Sequence, residues 1–270
     1  MVLKLRYSIL TDMKIGRRNI GIFLARSFSV QNWKAMTMFK KVHTEPLKSI
    51  YQELFSAGKY PRLIKFKSPT GLHEVKLYSP NDFSTFNLIF CRQDYFTTNN
   101  FKTVVDIGSN IGISAVFWLT RNYQSKVYCY EPSSANYKRL KFNLQSFKSR
   151  FFLNNCAVSN YNDFAYLNLE KNGVYTSLNK KDKKHDYIGK EKCEVVDINK
   201  CLEKILKENS IIDILKIDNE GEEINTISSI DTSFWKFIKC VNVDGDNVRK
   251  YVPSDFKSDK IGSAQRFYKT

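Results

Sequence analysis

The stretch Val104-Val105-Asp106-Ile107-Gly108-Ser109-Asn110-Ile111-Gly112 constrains this chain more than any other. Lys102 to Ile107 is a short, largely β-branched apolar run, the pattern of a parallel strand covered on both faces. The run ends in an acid and passes straight into a glycine-rich turn. Gly108 lets the backbone turn tightly, and Gly112 lets a following helix pack closely on the strand. Ala115, Val116, Trp118 and Leu119 then continue with helical character. A strand, a tight turn and a helix in that order are the start of a βαβ unit.

The turn also limits the ligand. A dinucleotide fingerprint reads G-x-G-x-x-G, because a pyrophosphate needs bare backbone amides at a helix N-terminus. Here the order is D-x-G-x-x-x-G, with Asn110 in the place of the second glycine. Such a loop suits a ligand without a diphosphate but with an ammonium and a sulfonium, to which Asp106 can offer negative charge. Farther on, the predicted strand Lys126–Tyr130 ends in Glu131. A carboxylate at the tip of a second strand is where a ribose diol is gripped.

These features occur in order with two more, Asn155-Cys156-Ala157-Val158 and Ile214-Leu215-Lys216-Ile217-Asp218-Asn219-Glu220-Gly221-Glu222-Glu223. Together with Tyr130-Glu131-Pro132 they resemble the FkbM family of S-adenosylmethionine-dependent methyltransferases, whose signature reads K-I-D-x-E-G-x-E. The resemblance covers roughly Leu88 to Val243 and implies a class I, Rossmann-like methyltransferase fold. It also implies S-adenosylmethionine as cofactor. The methionine part would lie against Asp106, Gly108, Ser109, Asn110 and Gly112, with Tyr95 closing over it. The ribose would sit on Glu131 and the adenine near Asn155 to Ala157. The acceptors implied are hydroxyls of sugars on glycans or glycolipids, or of secondary metabolites.

Read without the resemblance, the chain from Phe101 still alternates strand and helix. Strands end at Asp106 and Glu131, a third lies near Phe151–Asn155, and others span Ile211–Ile217 and Phe237–Val243. This alternation predicts a doubly wound, mostly parallel α/β sheet with right-handed crossovers. Phe164–Glu170 and Cys193–Val196 read as further extended runs around a Lys-rich loop at Lys180–Lys184, and Ala264–Lys269 as a last edge strand. Upstream, residues 1–80 read as a helical and hairpin cap, and 81–270 as the cofactor-binding domain. Trp33, Met36, Phe39 and Val42 suggest one helix. Leu47, Ile50, Tyr51, Leu54 and Phe55 form one apolar face of a second helix, followed by Gly58. The hairpin spans Arg62–Ser68 and Leu72–Tyr78, and Asp82 is a candidate helix cap.

Composition adds a charge problem. The net charge is +16, and between Met1 and Val42 nine Lys or Arg face one acid, Asp12. A basic leader of this kind suits an anionic membrane surface, an acidic substrate or nucleic acid, and also suits simple solvation. No apolar run reaches the roughly 20 residues of a membrane span, so the expected location is cytoplasmic, with peripheral membrane contact. Six scattered cysteines without a C-x-x-C pair read as packing residues.

The reacting groups are expected beyond the carboxyl ends of the strands. Asp106, Glu131, Asn155, Asp218, Asp244 and Asp246 all fall there. So many carboxylates are costly unless a cation sits among them, either a sulfonium or a divalent metal. Methylation of a hydroxyl needs a base or a metal to take its proton. Asp218 and Glu220 are the candidates, aimed into one crevice from either side of a single residue. Asp218 with Asp244, Asp246 and Asn247 would be an oxygen-rich site for Mg²⁺. Glu222 and Glu223 read as solvated first-turn acids, and His73 and His185 as alternative bases. Rival readings are an RNA or protein methyltransferase, a non-catalytic binding partner, and a nicotinamide dehydrogenase, the last disfavoured by the missing glycine.

Overall fold

The protein is described here from a computed structural model, covering residues 14–15, 18–19, 30–55, 57–95, 99–170, 187–245, 247–261 and 264–269. The chain forms two compact units, Met1–Gln93 and Asp94–Thr270.

In the first unit, α1 (Val30–Val42) and α2 (Pro46–Phe55) precede a hairpin of β1 (Arg62–Ser68) and β2 (Gly71–Leu77). The hairpin closes on Ser68 opposite Gly71, with Gly71 at φ +115°. Helix α3 (Pro80–Asn87) follows and runs into a π-helical turn, Leu88–Arg92. Ser79, one residue before Pro80, is the true N-cap. Its hydroxyl accepts from the Asp82 amide at 3.2 Å, and Asp82 accepts back from the Ser79 amide at 2.9 Å. Asp82 is therefore the third-position partner in a capping box rather than the cap itself. Phe66, Phe83, Phe86 and Phe90 make the core here, with Phe86 stacked on Phe90 at 4.3 Å. His43 is buried with them on the Asn87 side-chain oxygen at 2.7 Å, and burial pulls its pKa down to about 4.

Helix α2 is amphipathic in the unexpected sense. Ser49 is buried, and Glu53 accepts from Ser84 at 3.2 Å and from Asn87 at 3.0 Å. Leu47, Ile50, Tyr51 and Phe55 face outward. The polar side of this helix is its packed side.

The second unit is built on a seven-stranded sheet. Its strands are β3 (Thr103–Ile107), β4 (Lys126–Tyr130), β5 (Phe151–Asn154), β9 (Ile212–Ile217), β10 (Ile238–Asp244), β11 (Lys257–Ile261) and β12 (Ala264–Tyr268). The order is β11-β12-β10-β9-β3-β4-β5. The five strands from β10 to β5 are mutually parallel. Strand β12 lies antiparallel beside β10, and β11 takes the edge. The predicted last edge strand thus sits one place in from the edge, because the chain turns back on itself before ending. The mostly parallel α/β sheet expected from the sequence is observed.

The runs Phe164–Glu170 and Cys193–Val196 form a separate sheet. It holds β6 (Ala157–Ser159), β7 (Asp163–Glu170) and β8 (Tyr187–Asp197), in the order β6-β8-β7. The Lys180–Lys184 loop lies outside the described residues.

Helices α4 (Ile113–Leu119), α5 (Ser134–Leu144), α6 (Ile198–Glu208) and α7 (Glu223–Ser228) complete the unit. Every residue of α4 is buried, as expected for a helix sandwiched against the sheet. Val105, Ile107, Leu215, Ile217, Val241 and Val243 share one core with Ile198, Leu202 and Ile205 of α6. All six cysteines are buried and unbridged. Chain order reverses between β3 and β9. In open α/β sheets this reversal opens a crevice beyond the strand ends. The Leu215→Ala variant, on a fully buried β9 side chain, is expected to lose about 2–5 kcal/mol in urea unfolding.

A charged crevice at the reversal point

Strands β3 and β9 pair so that Asp106 lies directly opposite Lys216. Both side chains are essentially inaccessible, at 0 and 2 %. The Lys216 ammonium lies 3.1 Å from Asp106 Oδ1 and 3.3 Å from Asp218 Oδ2. It also donates to the carbonyls of Ile107 at 3.3 Å and Gly108 at 3.0 Å. Burial works against its charge, but Asp106 and Asp218 outweigh that and keep it protonated beyond the ordinary lysine range. The cation that the carboxylates need is thus supplied by the chain itself.

Around this pair the loop is tightly specified. Ser114, in the first turn of α4, donates to Asp106 Oδ2 at 2.6 Å, and the Ser109 hydroxyl donates to the Asp106 carbonyl at 2.7 Å. Gly108 holds φ +77°, and a Cβ there would sit 1.7 Å from the Asp218 carbonyl oxygen. Only a glycine fits. Gly112 holds φ +91° as it starts α4. The amides of Gly108 and Ser109 both donate to the Tyr130 carbonyl at 3.0 Å. They are committed within the fold, so the turn has few amides to offer a phosphate. This is a physical reason why the loop departs from the dinucleotide pattern.

Glu131 follows β4 and is 5 % exposed. It accepts from the Asn110 amide at 2.8 Å and the Ser133 amide at 3.0 Å. Burial raises its pKa to about 7 in spite of those two donors. Asn110 reaches it by adopting φ +49°, a conformation asparagine tolerates better than most residues. Asn155 donates from its side chain to the Glu131 carbonyl at 2.8 Å and so ties down the same turn. Ala157 begins β6 and packs into the small core of the second sheet with Leu167, Cys193 and Val195.

On the other side of the reversal, the Tyr95 hydroxyl donates to Asp218 Oδ2 at 3.1 Å. Its ring lies 5.6 Å from the Lys216 ammonium. Burial first, then Asp218, Asp244 and Asp106, push the Tyr95 pKa well up, so it remains a donor. Glu220 sits two residues past Asp218 at φ +50°, an uncommon backbone state for glutamate. Burial, and after it Asp218, Glu223 and Asp244, raise the Glu220 pKa to about 8. Among the described residues no hydrogen-bond donor reaches its carboxylate.

Several expectations change. Glu222 is 2 % exposed and accepts from Ser159 at 2.8 Å and Asn225 at 3.0 Å, so it fastens α7 to β6 rather than facing solvent. Glu223 turns back onto the Gly221 amide, and burial raises its pKa. His73 bonds to Thr70 at 2.9 Å within the hairpin, a structural role. His185 and Asp246 lie outside the described residues. Among the described residues, no three His, Cys, Asp or Glu groups are arranged to hold a metal, so the Mg²⁺ expectation finds no support.

Lys216 is the residue that reading for acids and bases passes over. Its signal is present in the sequence: a lone lysine inside Ile-Leu-Lys-Ile, a run too apolar to be solvated.

Residues 106–248 match the family model described as the methyltransferase FkbM domain. No curated protein matches the chain by sequence. Among solved structures, the chain is similar to a putative caffeoyl-CoA O-methyltransferase from Staphylococcus aureus at 14 % identity, covering 69 % of this chain and 83 % of that one, TM-score 0.40. It is similar to an S-adenosylmethionine-dependent methyltransferase from Agrobacterium tumefaciens at 6 % identity, over 80 % and 73 % of the two chains, TM-score 0.41. A putative RNA methyltransferase from Pyrococcus horikoshii aligns at 14 % identity over 63 % and 76 %, TM-score 0.33.

Replacing Lys216 with methionine leaves Asp106 and Asp218 facing each other without a cation. The variant should lose about 3–5 kcal/mol at neutral pH in denaturant unfolding. Adding Asp218→Asn to it should recover part of that loss. A deficit that Asp218→Asn leaves unchanged would show that lost packing, not lost charge, is responsible.

Proposed function

The chain belongs to the FkbM methyltransferase family, and from that premise we propose that it methylates a hydroxyl oxygen of a sugar or other small acceptor, with S-adenosylmethionine as donor. The observation that carries the oxygen acceptor is Glu220: a half-buried carboxylate with a pKa near 8 and, among the described residues, no donor on it, next to the Tyr95–Asp218–Lys216 cluster. A general base works best when its pKa lies near the working pH. An aliphatic hydroxyl must give up its proton as it is methylated, and we assign Glu220 to take it on a carboxylate oxygen.

The donor set of the crevice fits the cofactor. Among the described residues each Glu131 oxygen accepts from a single backbone amide, which leaves lone pairs for a ribose diol. The Asp106–Gly112 loop has few free amides, which suits a ligand without a diphosphate. Bound there, S-adenosylmethionine would supply an electrophilic methyl group on a positively charged sulfur. The chain's own task is then placement. Lys216 and Tyr95 fix Asp218, and Ser114 of α4 holds Asp106. The proton of the acceptor hydroxyl would pass to a Glu220 carboxylate oxygen as that hydroxyl is methylated.

A nucleic-acid acceptor is the second reading, motivated by the net charge of +16. Against it, β9 runs into Asp218-Asn219-Glu220-Gly221, not the N/D-P-P-Y/F tetrapeptide common in enzymes that methylate base amines. Methyl-labelled cofactor added to fractionated extract separates the two: label in the glycan, glycolipid or small-metabolite fraction supports the first reading, and label in RNA supports the second. With an acceptor in hand, kcat should climb with pH up to about 8 and then level. The Glu220→Gln variant should lose that dependence together with about 10²–10⁴ in rate. Should it keep the same profile, another group is the base.

A further inference from the structure

We propose that the exposed face of α2 (Pro46–Phe55) is a docking surface for an anionic lipid membrane. Leu47, Ile50, Tyr51 and Phe55 recur at helical spacing, so they lie on one side of the helix. That side points away from the packed core: Leu47 is 85 % exposed, Tyr51 58 %, Phe55 47 % and Ile50 40 %. The opposite side carries Ser49 and Glu53, and it is this side that the first unit buries, against Ser84 and Asn87 of α3. A helix of a free-standing soluble unit normally packs the reverse way. Four large apolar side chains in one exposed row mark an interaction surface rather than scattered surface residues. The Tyr51 and Phe55 rings lie 4.9 Å apart, forming an aromatic pair of the sort found at lipid interfaces.

Charge selects the occupant. Of the 43 Lys and Arg in the chain, 16 fall in the first 93 residues, where there are only five Asp or Glu. Lys40 and Lys41 end α1, five residues before α2 begins, and both are exposed. Lys48 is exposed on α2 itself, paired with the equally exposed Glu45, and Lys59 is exposed shortly after it. A second copy of this chain would bring two strongly cationic units together, whereas an anionic bilayer surface would attract them. Apolar insertion and a basic surround are the two components that together hold an interfacial helix on a membrane. No helix among the described residues is long and apolar enough to cross one. This inference concerns where the protein binds and stands independently of the methyl-transfer reading.

The test uses the full chain and vesicles of phosphatidylglycerol mixed with phosphatidylcholine, against phosphatidylcholine alone, at low salt. Wild type should sediment with the anionic vesicles only. The L47Q/Y51Q/F55Q variant changes exposed positions to good helix formers, so it should unfold at the wild-type midpoint yet bind at least tenfold more weakly. Tyr123→Gln removes a 72 %-exposed aromatic in the second unit and should bind as wild type does. The proposal is overturned if wild type ignores anionic vesicles, or if the triple variant binds them as well as wild type. It is equally overturned if sedimentation shows a wild-type dimer that the triple variant separates, which would make a second copy the occupant, or if an RNA gel shift is what the variant abolishes.

Discussion

The structure of the second unit depends on one buried ammonium. Lys216 reaches from β9 to the carbonyls of Ile107 and Gly108 and to the carboxylate of Asp106 on β3, and also touches Asp218 at the end of its own strand. A buried charge pair is seldom a gain in stability compared with a well-packed apolar one, because both ions must leave water. What it adds is definition. Two strands that meet where chain order reverses have no direct connection to set their relative height. The ammonium can satisfy its partners in only one register, and that register brings Asp218 and Gly108 into contact.

From this contact the rest of the crevice follows. Gly108 yields its side-chain space to the Asp218 carbonyl, and the turn it begins spends its amides on Tyr130. That leaves Asn110 to reach Glu131 and leaves Asp218 to Tyr95. Three segments far apart in sequence are thereby held by hydrogen bonds that cross between them. Electrostatic preorganisation of this kind costs no rearrangement when a charged ligand arrives.

Much of this was legible in the sequence, for reasons that differ by element. The parallel strands were visible because burial on both faces leaves an apolar run, as in Val104–Ile107 and Ile214–Ile217. The loop was visible because positive φ demands glycine at 108 and 112. Lys216 was passed over because its role exists only through register: nothing near it in sequence says that Asp106 will lie opposite. Glu222 was misjudged for the same reason, since Ser159, its partner, belongs to a different sheet. The position of β12 inside the edge is likewise set by pairing with β10 and β11, not by local pattern. The outward apolar face of α2 was legible as a face but not as outward, because direction depends on which side Ser84 and Asn87 can satisfy.

The left-handed pair at the end of β9 has a consequence for anyone redesigning this protein. Glu220 and Gly221 both hold positive φ, at +50° and +101°. β-branched residues are poorly tolerated in that geometry, and asparagine, aspartate and glycine are favoured. The repertoire open at position 220 is therefore narrow whatever the acceptor. Altered acceptor choice is more easily sought in side chains that face the crevice from ordinary backbone, since β-branched members of a library at position 220 would carry a backbone cost.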